Sequence, residues 1–342
     1  MTNGSGFLHN VLGGITALAQ QHLTERRHHQ ERLAALRGAI EQVVDASEPR
    51  IRLVGDYAGK LLDSVNAALN HCHQLVRQLP PALTLSARVW ASDPQVNAFF
   101  ATAADLRATL SQPRSVRDFF QQSGQPEECF ALMLMVKRET ETFGSVLEGD
   151  LLVREARQIR VSFSDHRLFF PNASETDLRR ELRERMVVFL ATRALERINQ
   201  LRERREKLEE QRRQLRAQLR ALQGHAQGLR PLLSDADADE RRLAMLNERL
   251  IRIETDLVDA RKQLGTLDDY LEQVRRVLSQ SEEYLRMQAL SMRLNRLGLK
   301  LGANSPEPGA TITLCELTSL GEQRIGSLVK FAREELLPVA TV

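Results

Sequence analysis

The stretch LAMLNERLIRIETDLVDARKQLGTLDDYLEQVRRVLSQSEEYL, residues 243–285, sets its apolar residues alternately three and four apart: Leu243, Leu246, Leu250, Ile253, Leu257, Ala260, Leu264, Leu267, Leu271, Val274, Leu278 and Leu285, with Ser281 filling one position. A repeat averaging about 3.5 residues keeps one stripe of an α-helix turned toward a partner helix along its whole length. Upstream, Leu201, Leu208, Leu215 and Leu222 recur at heptad spacing, so the expected partner lies in the same chain, folded back as an antiparallel arm. Two helices of about 40 residues, rising ~1.5 Å per residue, give an arm of roughly 60 Å.

Composition agrees with much long, solvated helix, since aromatic residues are 5% of the chain and charged residues 27%. The 42% hydrophobic content of the 342 residues supports a core, which on this reading belongs to a small globular part. A formal charge of +3 is too weak to point to nucleic acid without clustered cations. The cysteines, Cys72, Cys129 and Cys315, are odd in number and lack metal or disulfide spacing, which suits a reducing compartment. The first residues lack the basic start and cleavage site of a secretory signal, and no apolar run is long enough to span a bilayer, so a cytoplasmic location is expected.

Outward from the arm, residues 7–47 read as helix up to Pro49. A second heptad pattern follows in Ile51, Val54, Ala58, Leu61, Val65, Ala68, Cys72, Leu75 and Leu79 and stops at Pro80-Pro81. Asp93-Pro94 predicts an N-cap and first helical residue, and Pro126–Glu141 is read as helix, its apolar run ALMLMV flanked by charges that suit a helix dipole. Alternation at Ile159, Val161 and Phe163 predicts a strand, Asp165-His166 a turn, and Arg167–Phe170 a second strand. Ser174 followed by Asp177 predicts a cap opening the long helix. Strand patterning returns at Leu297–Leu301, Ile312–Leu314 and Arg324–Phe331.

The expected fold is therefore mostly α with a small α+β head. Residues 1–82 form a long-helix hairpin, 83–172 the first part of the head, 173–292 a coiled-coil stalk inserted between β segments, and 293–342 the β-rich second part of the head. Pairing Leu222 with Leu243 sets Arg212 opposite Ile253 and Arg205 opposite Ala260, where the arginines would fix the register and reach Asp256 or Asp259.

Two surfaces are candidates for contact. Arg212, Arg213, Arg216, Arg220 and Arg230 form an acid-free stretch at the stalk tip that could grip phosphate or an acidic partner. A solvated helix face is the preferred reading, because Asp235, Asp237, Asp239 and Glu240 follow at once and cancel the far field. Phe7, Leu8, Val11, Leu12, Ile15 and Leu18 share a helical face suited to docking or to a membrane, although no Lys or Arg precedes Arg26.

Sites that resemble chemistry fail on geometry. Asp235–Glu240 opens like a calcium loop but has Glu240 where the turn needs Gly. Gly55–Leu61 is one residue short of a phosphate loop and lacks its Ser or Thr. His71-Cys72-His73 are consecutive on a helix and point about 100° apart, too divergent for one zinc ion. No catalytic residue, metal site or cofactor is assigned. The expected function is a non-enzymatic scaffold or adaptor that binds a protein partner or its own copies. Nucleic-acid association through the arginines and membrane attachment through Phe7–Leu18 are the alternatives.

Overall fold

The computed structural model describes residue 30 and residues 33–122, 124, 126–148, 151–226, 236–302 and 305–338. A helix α1 over 33–46 leads to a 3-10 turn, Pro49–Leu53, and to α2, Tyr57–Gln78. Four short helices follow the two-residue strand β1, Leu83–Thr84: α3 Ala87–Ser92, α4 Pro94–Phe99, α5 Ala103–Ser111 and α6 Arg114–Gln121. Polar side chains start three of them. Ser86 accepts from Val89 N, Asp93 from Gln95 N and Val96 N, and Thr102 from Asp105 N.

Two long strands come next, β2 Glu128–Glu148 and β3 Leu151–Asn172. The long helix α7, Glu175–Ala226, opens on Ser174, whose hydroxyl accepts from Asp177 N at 3.1 Å. Then come α8 Ala236–Gln263, α9 Leu267–Ser279, the short α10 Ser281–Tyr284, and strands β4 Arg286–Leu294, β5 Lys300–Leu301, β6 Ala310–Ser319 and β7 Glu322–Ala332.

The strands form one seven-stranded sheet in the order β3-β2-β7-β6-β4-β5, antiparallel along that path, with β1 added parallel to β7. Its two ends meet where Arg160 of β3 bridges Leu299 and Val161 N donates to Gly298 O at 2.8 Å. This overturns the expected fold of a small α+β head bearing a coiled-coil hairpin: the sheet is the centre of a substantial domain.

Two expectations fail for identifiable reasons. The stretch Pro126–Glu141, expected as helix, is strand from Glu128 on, because its apolar run is buried on both sheet faces: Ala131, Met133 and Met135 on one, Leu132 on the other. The 243–285 repeat is not one helix. It breaks after Gln263, where the Asp269 carboxylate accepts from Gly265 N and Thr266 N and starts α9.

The chain divides into two compact units, residues 1–67 with 188–279, and residues 68–187 with 280–342. In the first, Leu271, Val274, Val277 and Leu278 of α9 are buried, and α9 packs on the Pro49–Leu53 turn. Helices α7 and α8 touch there through a small cluster of Leu208, Leu257 and Ala260 with Ile253 beside it. In the second unit, α3–α6 cover one sheet face through Phe99, Phe100, Leu106, Leu110 and Phe120. The other face takes Val76 and Leu79 of α2 with Leu178 and Leu182 of α7. Burying both faces is what lets a long sheet be apolar on each side.

Candidate functional site

Strand β2 is paired on both sides only as far as Met135, the last residue registered with β7. From Val136 to Glu148 it keeps β3 as a neighbour, and among the described residues no strand lies against its other edge. Thirteen residues at ~3.3 Å each make this a two-stranded ribbon of roughly 40 Å.

The root of the ribbon is tied down by charge. Lys137 bridges Glu139 and Glu316, at 3.5 and 3.8 Å, and Lys300 reaches Glu139 at 3.8 Å. Farther out, Arg157 pairs with Glu141 across the strands. Phe143 stands opposite Arg157 and is 73% exposed, an unusual placement for a large aromatic ring.

The outer edge of β3 is better protected. The Gly298–Leu299 turn covers it at Arg160 and Val161, and Glu155 adopts a positive φ of 61° that interrupts the regular ladder. The β2 edge therefore offers the longer run of unpaired main-chain groups.

A bulge lies where a turn is expected at Asp165-His166, since Leu134 pairs with Arg167 and Val136 with Ser164. Asp165, at φ 53°, accepts from Arg324 and Arg167, and these guanidinium groups hold its carboxyl below the usual carboxylate range. The His166 ring stacks on Phe100, with centroids 4.8 Å apart and planes 22° apart. It donates to the Phe99 carbonyl, while its Nε2 is buried without a partner.

The sequence-predicted residues are dispersed rather than assembled. Arg205 reaches neither Asp256 nor Asp259; its Nη1 donates to Leu264 O at 3.2 Å near the end of α8, and its Nε is buried and unpartnered. Arg212 likewise buries an unpartnered Nε. Arg213 is paired with Glu210, Arg216 with Glu254 at 2.6 Å, and Arg220 Nε donates to Arg216 O at 3.3 Å. Arg230 and the face of Phe7, Leu8, Val11, Leu12, Ile15 and Leu18 lie outside the described residues.

His71 and His73 turn to different partners, Leu285 O at 2.9 Å and Arg183 Nη1 at 3.0 Å, with Cys72 buried between them. Burial pushes the Cys72 and Cys129 thiols up to about 12 and that of Cys315 to about 11. Lys60 pairs with Asp268 at 2.6 Å. Among the described residues no group of three or more His, Cys, Asp or Glu side chains is placed to hold a metal ion, and no helix is long and apolar enough to cross a membrane.

The ribbon itself escaped sequence reasoning, although a signal was present. Gly149-Asp150 separates two runs rich in Thr, Phe, Val and Leu, which is hairpin grammar. The chain matches no protein-family model, no curated protein sequence and no solved structure.

Proposed function

We propose that this chain is a non-enzymatic interaction protein, a cytoplasmic scaffold or adaptor that binds a protein partner by strand addition to the free edge of β2. One observation carries the reading: beyond Met135, β2 continues for a long stretch with β3 alone beside it. An extended segment laid along such an edge gains a ladder of main-chain hydrogen bonds, and side-chain contacts then set the specificity. Phe143 supplies a large apolar anchor next to that edge. Self-assembly through the same edge is the homotypic form of this reading.

The arginine face of α7 is weaker support for nucleic-acid binding, because Arg213 and Arg216 already spend their guanidinium groups on Glu210 and Glu254. The test is an affinity pull-down with the full chain beside a version whose residues 140–159 are replaced by an Asn-Gly turn, both checked for folding by circular dichroism. Light scattering on the same pair reads out self-association. Loss of the captured partner or of the oligomer in the shortened chain is expected. Equal capture and equal oligomeric state by two folded proteins defeats the proposal.

A further inference from the structure

His166 occupies the β3 bulge and faces the helical layer. Its ring is pinned on two sides, stacked on Phe100 and hydrogen-bonded to the carbonyl of Phe99, the last residue of α4. With Nε2 sealed and unpartnered, Nδ1 is left to carry the donated proton. The neutral ring therefore satisfies the contact. An imidazolium would set a second N–H in a pocket without an acceptor.

We propose that His166 is an acid-sensitive latch: its neutral ring holds the end of α4 against β3, and protonation at Nε2 releases the Phe99–Phe100 segment from the sheet. The charged groups bearing on the ring are Asp165 of its own strand, which Arg167 and Arg324 already occupy, and Asp105 of α5. Burial holds the imidazole below its ordinary value of 6.5, outweighing the Phe99 backbone hydrogen bond and the two carboxylates, all of which favour the proton. Because the folded chain takes up the proton later than the unfolded chain, the latch is fully closed above pH 6.5 and weakens as the pH falls below it.

The protein carries its own reporter. Trp90 is the single tryptophan, and its indole Nε1 donates to Phe100 O at 2.9 Å. Tryptophan emission followed from pH 8 to about 5 in the full chain should show a red shift in one step with its midpoint below 6.5. His166→Phe keeps the stacking and removes the titration, so this step should vanish. His166→Asn retains a donor and should also lack it. As a measurement independent of either variant, the His166 ring resonance in the wild-type NMR spectrum should titrate with the same midpoint as the emission. A flat wild-type profile, a step that survives in both variants, or a ring titration at a different pH from the emission step each overturns the latch.

Discussion

Val161 N donates to Gly298 O at 2.8 Å, which ties the outer strand β3 to the turn that leads into β5 at the opposite end of the sheet order. The turn is shaped by Asn295, whose side-chain oxygen accepts from Leu297 N and Leu299 N, both at 2.9 Å. Gly298 sits at φ +75°, and a Cβ added there would lie 2.7 Å from Val161 O. Gly298→Ala must therefore both strain the backbone and push apart the junction it closes. A loss of about 2–3 kcal/mol in urea unfolding is expected, while Gly302→Ala, which has open space at its Cβ, should change little.

Arg179 acts as a clamp inside the sheet-bearing unit. Its guanidinium donates to Val76 O at 2.6 Å and to Leu79 O and Pro80 O at 3.0 Å, satisfying carbonyls at the end of α2, and its Nε meets Glu175 at 2.8 Å. Glu175 in turn accepts from Ala82 N at 3.1 Å. Arg179→Ala leaves several of these acceptors without a donor and should cost about 2 kcal/mol or more. Arg179→Lys should recover little of it, because a single ammonium cannot reproduce a planar fork. Denaturant midpoints of the three proteins decide the matter.

These two sites show what pattern reading does and does not reach. Alternation at Ile159, Val161 and Phe163 marks a strand because one face of it is buried, and those residues lie in β3. The run from Ala131 to Met135 carries no such alternation, since both faces are covered, and a fully buried strand then imitates a helix. The 3-4 spacing of residues 243–285 has a similar ambiguity: Leu271, Val274 and Leu278 use it to bury one face of a short helix that packs on the Pro49–Leu53 turn, not to continue a single long rod. Closure by Gly298 and clamping by Arg179 depend on residues far apart in the chain, and local periodicity contains no information about them.

Glu48 makes the acid limb of stability predictable. Its carboxylate is nearly enclosed, takes a two-point contact from Arg50 at 2.8 and 2.9 Å, and a third from Arg202 at 3.2 Å. Both guanidinium groups also lie over the Tyr270 ring, at 5.6 and 5.8 Å. The Arg50 hydrogen bonds, followed by the positive charge, outweigh burial and hold the carboxyl below its ordinary 4.5. On acidification the unfolded chain thus binds the proton first, so this stabilisation is complete above pH 4.5 and is lost as the pH drops through the lower folded value. Glu48→Gln should be less stable at pH 7 and show a shallower loss between pH 5 and 3, measured as unfolding free energy against pH.

Arg212 tests whether a charged residue in an otherwise apolar helix contact is a cost. Its Nε is buried with no acceptor, so the group was stripped of water without compensation. Arg205 has the same buried Nε but recovers one hydrogen bond at Leu264 O, 3.2 Å away. Replacing Arg212 with Leu should therefore raise stability by about 1 kcal/mol, whereas Arg205→Leu should gain less because it leaves that carbonyl without its donor. A loss of stability in Arg212→Leu, read from the urea midpoint, would mean that the remaining guanidinium nitrogens or the side-chain stem contribute more than the buried Nε costs. The relative order of the two variants separates the cost of the orphaned nitrogen from any general effect of adding leucine to these helices.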